Sequence, residues 1–100
     1  LEKTDYAENI YWVFGIVISK DFQFSNLNII EELNKKGIGA RPFFYSLHKQ
    51  PIFSKMKLSF GGSFPVSENL SEKGFYIPSG LGLKLNQIDR VVKEMKLIFS

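Results

Sequence analysis

The chain has 100 residues with a formal charge of +3, 44% hydrophobic and 23% charged residues, the profile of one ordered globular domain with a modest core. The absence of cysteine excludes disulfides, thiolate metal sites and a cysteine nucleophile, and a single histidine argues against zinc. The charge is mild and the lysines are scattered, so no concentrated footprint for nucleic acid is visible.

The opening "LEKTDYAEN" is polar and acidic, unlike a signal peptide, and has no initiator Met. We read the chain as one domain, 1–100, cut from a longer protein, with a cytoplasmic location. The longest apolar run, Ile10 to Ile18, is half of the roughly 20 residues that span a bilayer, so no membrane partner is expected.

"NIYWVFGIVIS" (9–19) is β-branched, aromatic and nearly continuous in apolar character. It predicts a strand covered on both faces, with Trp12 in the core and Gly15 at a bulge or a close backbone approach. "SNLNIIEELNKKGIG" (25–39) predicts a helix on which Leu27, Ile30 and Leu33 fall at helical spacing. Ser25, Asn26 and Asn28 are alternative caps, and Asn28 with Glu31 has the spacing of a capping box. Gly37 suits a left-handed C-terminal residue.

"IGARPFF" (38–44) reads as a short extended segment in which Pro42 keeps Arg41 out of the helical region. "PIFSKMK" (51–57) predicts a short helix led by Pro51, and "LSFGGSFP" (58–65) a loop. "VSENLSEKG" (66–74) predicts a two-turn helix closed by Gly74, "FYIP" (75–78) a short strand ending at Pro78, and "SGLGLKL" (79–85) a turn. "NQIDRVVKEMKLIF" (86–99) predicts a helix capped by Asn86, with Asp89 in its first turn. Its apolar stripe is Ile88, Val91, Val92, Met95 and Phe99, with Ile98 at the margin. This order predicts an α+β domain with a small, mainly antiparallel sheet and helices packed on one face.

Chemistry-bearing residues concentrate in "GARPFFYSLHKQP" (39–51). A guanidinium held by the following proline, as at Arg41, suits bidentate capture of carboxylate or phosphate; an exposed strand-end arginine is the plainer alternative. Phe43, Phe44 and Tyr45 can stack on a planar ring or a sugar face, or form an aromatic cluster under the loop. His48 lacks a visible orienting partner for general-base work. "GLGL" (80–83) lacks the third glycine of a dinucleotide fingerprint.

"NIYWVFGIVI", "ELNKKGIGARPFFYSLHKQP" and "ENLSEKGFYIPSGLGLKLNQIDRVV" together, in this order, resemble the C-terminal small domain of the DegT/StrS-type sugar aminotransferases, closest to the perosamine branch. The resemblance runs from about Asn9 to Val92. It implies the aspartate aminotransferase fold, pyridoxal 5'-phosphate in the full-length protein, and a nucleotide-linked 4-keto-6-deoxy sugar with L-glutamate as amino donor. It further implies a homodimer, and a large N-terminal domain that carries the aldimine lysine.

For this fragment the resemblance implies neither a catalytic residue nor a cofactor or metal site of its own. It assigns Arg41 to an anion of the substrate, and Phe43, Tyr45 and His48 to the hexose pocket, with Phe44 and Gln50 less directly placed and Asn9 and Trp12 in support. Ser46 stands where the family usually has proline, which puts the placement of His48 in question. Two other readings compete: a pyridoxamine-dependent sugar dehydrase of the same family, whose distinguishing residue lies outside the chain, and a stand-alone ferredoxin-like binding module.

Overall fold

A computed structural model describes residues 4–100; the first three residues of the polar opening lie outside them. The elements are β1 (Phe14–Val17), α1 (Asn26–Lys35), β2 (Arg41–Pro42), a 3-10 turn (Leu47–Lys49), α2 (Pro51–Lys55), α3 (Pro65–Lys73), β3 (Gly74–Ile77) and α4 (Leu85–Phe99). The sheet order is β1-β3-β2, and both pairings are antiparallel. The expected small antiparallel α+β architecture is therefore present. The last strand in the sequence is the central one.

Alternation along the strands separates two faces. On the inner face, Ile16 and Pro42 flank Phe75 in register. Phe75 packs with Ile18, Ile29, Ile30, Leu33, Ile38, Ala40 and Val91, and Ile16, Ile77, Met95 and Ile98 close the cluster. Helices α1 and α4 supply most of this covering layer. On the outer face, Gly15, Tyr76 and Arg41 form one cross-strand row.

Helix α1 starts at Ser25, whose Oγ accepts from Asn28 N–H while Asn28 Oδ1 accepts from Ser25 N–H. The capping box is thus Ser25 with Asn28, and Asn28 with Glu31 plays no such part. Asn26 is buried inside instead: its Nδ2 donates to Ser71 O at 3.0 Å and to Gly74 O at 2.8 Å, tying α1 to the α3–β3 junction. At the other end Gly37 has φ +70°, and the N–H groups of Gly37 and Ile38 bond Asn34 O and Leu33 O. This is a Schellman ending, and its apolar pair, Leu33 and Ile38, is buried.

Other expectations need correction. The strand expected over 9–19 contracts to four residues. Tyr11 takes a positive φ of 51°, and its N–H is held by Asn9 Oδ1 at 2.7 Å, which turns the chain out of extension before Phe14. Strand β1 is an edge strand whose outer face carries no helix among the described residues. Trp12, expected in the core, lies before the strand and is 72% exposed; Val17 on the outer face and Phe14 on the inner face are exposed too.

Helix α3 closes at Gly74, as expected, with the Gly74 N–H donating to Leu70 O; its φ is −94°, and the same residue opens β3. Helix α4 is capped by the backbone of Lys84, whose N–H donates to Gln87 Oε1, so Asn86 lies inside the helix and Asp89 beyond the first turn. Its stripe is split: Val91, Met95 and Ile98 reach the core, whereas Ile88 and Val92 stay exposed.

Candidate functional site

The outer face of the sheet is built around missing side chains. Phe43 N–H donates to Gly74 O at 3.1 Å, extending the β2 pairing by one residue. The Phe43 ring then lies across Gly74 and reaches Gly15 on the far strand. A Cβ on Gly74 would meet Phe43 Cδ2 at 2.2 Å, and one on Gly15 would meet Phe43 Cζ at 2.9 Å. Space demands glycine at 74, where a backbone oxygen also stands in the way, and favours it at 15, the close-approach site that its place in an apolar strand suggested. Tyr76 packs beside the ring at a centroid distance of 4.6 Å.

Two surface hollows flank this aromatic pair. One, of about 660 Å³, is lined by Phe43, Phe44, Phe64, Leu70 and Tyr76, among others. The other, of about 590 Å³, is lined by Arg41, Trp12, Phe44, Tyr76 and Ser79, among others. Phe44 and Tyr76 belong to both and form the ridge between them. Of the four residues singled out from sequence, Arg41 and Phe43 therefore sit on adjoining hollows. Arg41 is exposed and, among the described residues, makes no ion pair. Tyr45 is exposed and lines neither hollow.

His48 is placed differently. Its side chain keeps only 15% of its accessible surface, its ring stacks on Phe64 at 4.7 Å, and its Nε2 lies 2.8 Å from Glu68 Oε1. Lys49 Nζ stands 3.5 Å from Glu68 Oε2 and 3.6 Å from Glu72 Oε1. The hydrogen bond from His48, with the Lys49 charge behind it, holds the Glu68 carboxyl below the ordinary carboxylate value.

Ser46 contributes to the same seam. It is buried, and its hydroxyl donates to Ser67 O at 3.0 Å. Its φ of −53° falls within the range that proline imposes. The departure from the family proline thus leaves the backbone in a proline-compatible state, held by a side-chain hydrogen bond to α3.

Sequence reasoning missed Tyr76, Phe64 and Glu68. Register alone puts Tyr76 between Gly15 and Arg41, and no local spacing signals it. Glu68 lies 20 residues from His48 in a polar helix, where a carboxylate is unremarkable.

The described residues do not fit pyridoxal phosphate as an aldimine partner. Such a lysine needs desolvation or a cationic neighbour, and no described lysine is buried. The two half-buried ones are engaged, Lys36 with Glu94 and Lys73 with Phe22 O. Among the described residues no group of His, Asp and Glu could hold a metal ion, and no helix is long and apolar enough to cross a membrane.

Comparison with known proteins agrees with this architecture. GDP-perosamine synthase of Vibrio cholerae is 29% identical over 90 residues, covering 90% of this chain and 24% of the relative. GDP-perosamine synthase of Caulobacter vibrioides is 23% identical over 86 residues, covering 86% of this chain and 22% of the relative. The chain therefore spans about a quarter of the length of the curated relatives it matches.

A crystal structure of GDP-4-keto-6-deoxymannose-3-dehydratase (ColD) with bound GDP-perosamine superimposes with a TM-score of 0.66 at 20% identity, over 82% of this chain and 22% of that one. This likeness establishes the fold. The model of the DegT/DnrJ/EryC1/StrS aminotransferase family matches residues 1–96. Nearly the whole chain is accounted for by that match, and the chain belongs to the DegT/DnrJ/EryC1/StrS aminotransferase family.

Proposed function

We propose that residues 1–100 are the C-terminal small domain of a longer, cytoplasmic, pyridoxal-phosphate-dependent aminotransferase. Its substrate is a nucleotide-linked 4-keto-6-deoxy sugar of the perosamine type, and L-glutamate is the amino donor. The family match over 1–96 carries this reading, and the names of the two perosamine synthase relatives support its sugar. The large domain holds the cofactor, which supplies an electron sink when bound, and the whole works as a homodimer.

In this reading the small domain binds and orients. Arg41, exposed on an edge strand beside an aromatic hollow, meets a phosphate of the nucleotide or the carboxylate of glutamate. Phe43 offers a ring fixed by Gly74 and Gly15 to the apolar side of the hexose. Tyr45 and His48 complete the sugar pocket from the loop that follows, and His48 positions substrate without shuttling its proton.

The test is turnover by a longer chain that carries this domain, supplied with pyridoxal phosphate, a GDP-4-keto-6-deoxy sugar and L-glutamate. The expected products are the 4-amino sugar and 2-oxoglutarate. Loss of a sugar hydroxyl with no amine gained would identify the dehydrase alternative, and failure to turn over either way would sink both. Arg41→Ala should raise the KM of one substrate at least about tenfold, the scale of a charged hydrogen bond. An unchanged KM for both substrates removes the anion role.

A further inference from the structure

His48 and Glu68 come from different elements, and their contact is the tightest polar link between the 45–50 segment and α3. A carboxylate has no proton to give, so the neutral imidazole that bonds it at 2.8 Å must carry its proton on Nε2. Lys49 on the second carboxylate oxygen keeps Glu68 ionised and turned toward the ring, and Glu72 sits on the far side of Lys49. Phe64 covers the imidazole face, and Ser46 anchors the start of the turn on Ser67 O. The ring is thereby restrained in position and in tautomer.

We propose that Glu68 is the positioning residue for His48: it holds the neutral imidazole as the Nε2–H tautomer and leaves Nδ1 as the only ring nitrogen open to a ligand. Nδ1 on that ring accepts a hydrogen bond and cannot donate one. The ligand group it selects is therefore a donor. Resting on the proposed function, this makes His48 a reader of a sugar hydroxyl; a keto oxygen, which only accepts, has nothing to bond there. The arrangement follows the rule that a histidine with one working nitrogen is oriented by what the other nitrogen bonds.

The first arm needs no substrate. His48 is the sole histidine, so imidazole signals of the ¹⁵N-labelled chain belong to it alone. At a pH where the ring is neutral, the wild-type chain should show a bare Nδ1 and a protonated Nε2 whose proton is downfield and protected from solvent exchange. Glu68→Ala should lose that protection at least about tenfold and admit the other tautomer, while Glu68→Gln, which keeps an acceptor oxygen, should largely retain the pattern.

A proton on Nδ1 in the wild-type chain, or a protected Nε2 proton that survives Glu68→Ala, overturns the assignment. The wild-type measurement decides this even where the alanine variant fails to fold. The second arm uses the longer enzyme: Glu68→Ala should raise KM for the nucleotide sugar roughly tenfold with kcat little changed, and Glu68→Gln should restore it. An unchanged KM removes the hydroxyl-reading role but leaves the tautomer result intact. Absence of wild-type turnover counts against the proposed function alone.

Discussion

Two glycines with similar surroundings are expected to respond differently to one added methyl group. At Gly74 the new Cβ meets Phe43 Cδ2 at 2.2 Å and the carbonyl oxygen of Leu70 at 2.5 Å, and a backbone atom cannot swing away. At Gly15 the obstacle is the tip of the Phe43 ring at 2.9 Å, which can tilt. Gly74→Ala should therefore cost about 3 kcal/mol and Gly15→Ala about 1 kcal/mol in urea unfolding, the two ends of the overpacking range. Equal costs would mean that the Leu70 carbonyl does not constrain the site. Neither number follows from backbone conformation, since Gly74 sits in ordinary extended space.

Elements are joined by a few polar ties as well as by the core. Asn26 links α1 to Ser71 O and Gly74 O from a buried position. Asn26→Ala should destabilise by about 2 kcal/mol, because Ser71 O loses a donor while Gly74 O keeps Phe43 N–H. Asn26→Asp should cost more, about 4 kcal/mol, since it buries a charge against two carbonyls; a milder aspartate would refute the buried tie.

Ion pairs between and within elements are expected to lose their contribution in acid. Hydrogen bonds from Lys35, His48 and Lys36 hold Glu32, Glu68 and Glu94 respectively below the ordinary value of 4.5. Their folded values lie below their unfolded ones, so this stabilisation is complete above the unfolded value and lost as pH falls through the folded values. The urea midpoint should begin to fall below about pH 5, and a flat midpoint down to pH 3 or so would show that these pairs add nothing. Lys35, raised by Glu32 and Glu31, works oppositely: its contribution is present below the ordinary lysine range and fades as pH rises through its raised value.

The molecule as a whole is open. Its radius of gyration is 16.3 Å, against about 13 Å for a compact 100-residue domain. The aromatic outer face is only partly covered, and a third hollow, apolar and of about 680 Å³, lies between β1 and α4, where Phe14, Ile88 and Val92 stay exposed. Apolar surface on this scale drives association. In sedimentation velocity the isolated chain should show a weight-average coefficient that rises with concentration across the micromolar range. A single monomeric species throughout would mean that solvent tolerates these faces as they stand.

Several features were legible without coordinates because their causes are local. Gly37 after a lysine-rich helix end, Pro51 at a helix start and the alternation of element types depend on a few neighbouring residues, and the ordered fragments around "GARPFFYSLHKQP" carried the family. Other features depended on pairing across long sequence separations. Trp12 reads as core because its run is apolar, yet the turn at Tyr11 leaves it ahead of β1 and exposed. Gly74 reads as a cap and is one, yet the space it must leave to Phe43 shows only in the fold. His48 had no visible partner because Glu68 reaches it only after β3 has drawn α3 against the loop. Residue order thus determined the elements, their turns and the family. Tertiary structure decided which faces are covered and which polar groups meet, since both depend on strand register and helix packing between residues far apart in the chain.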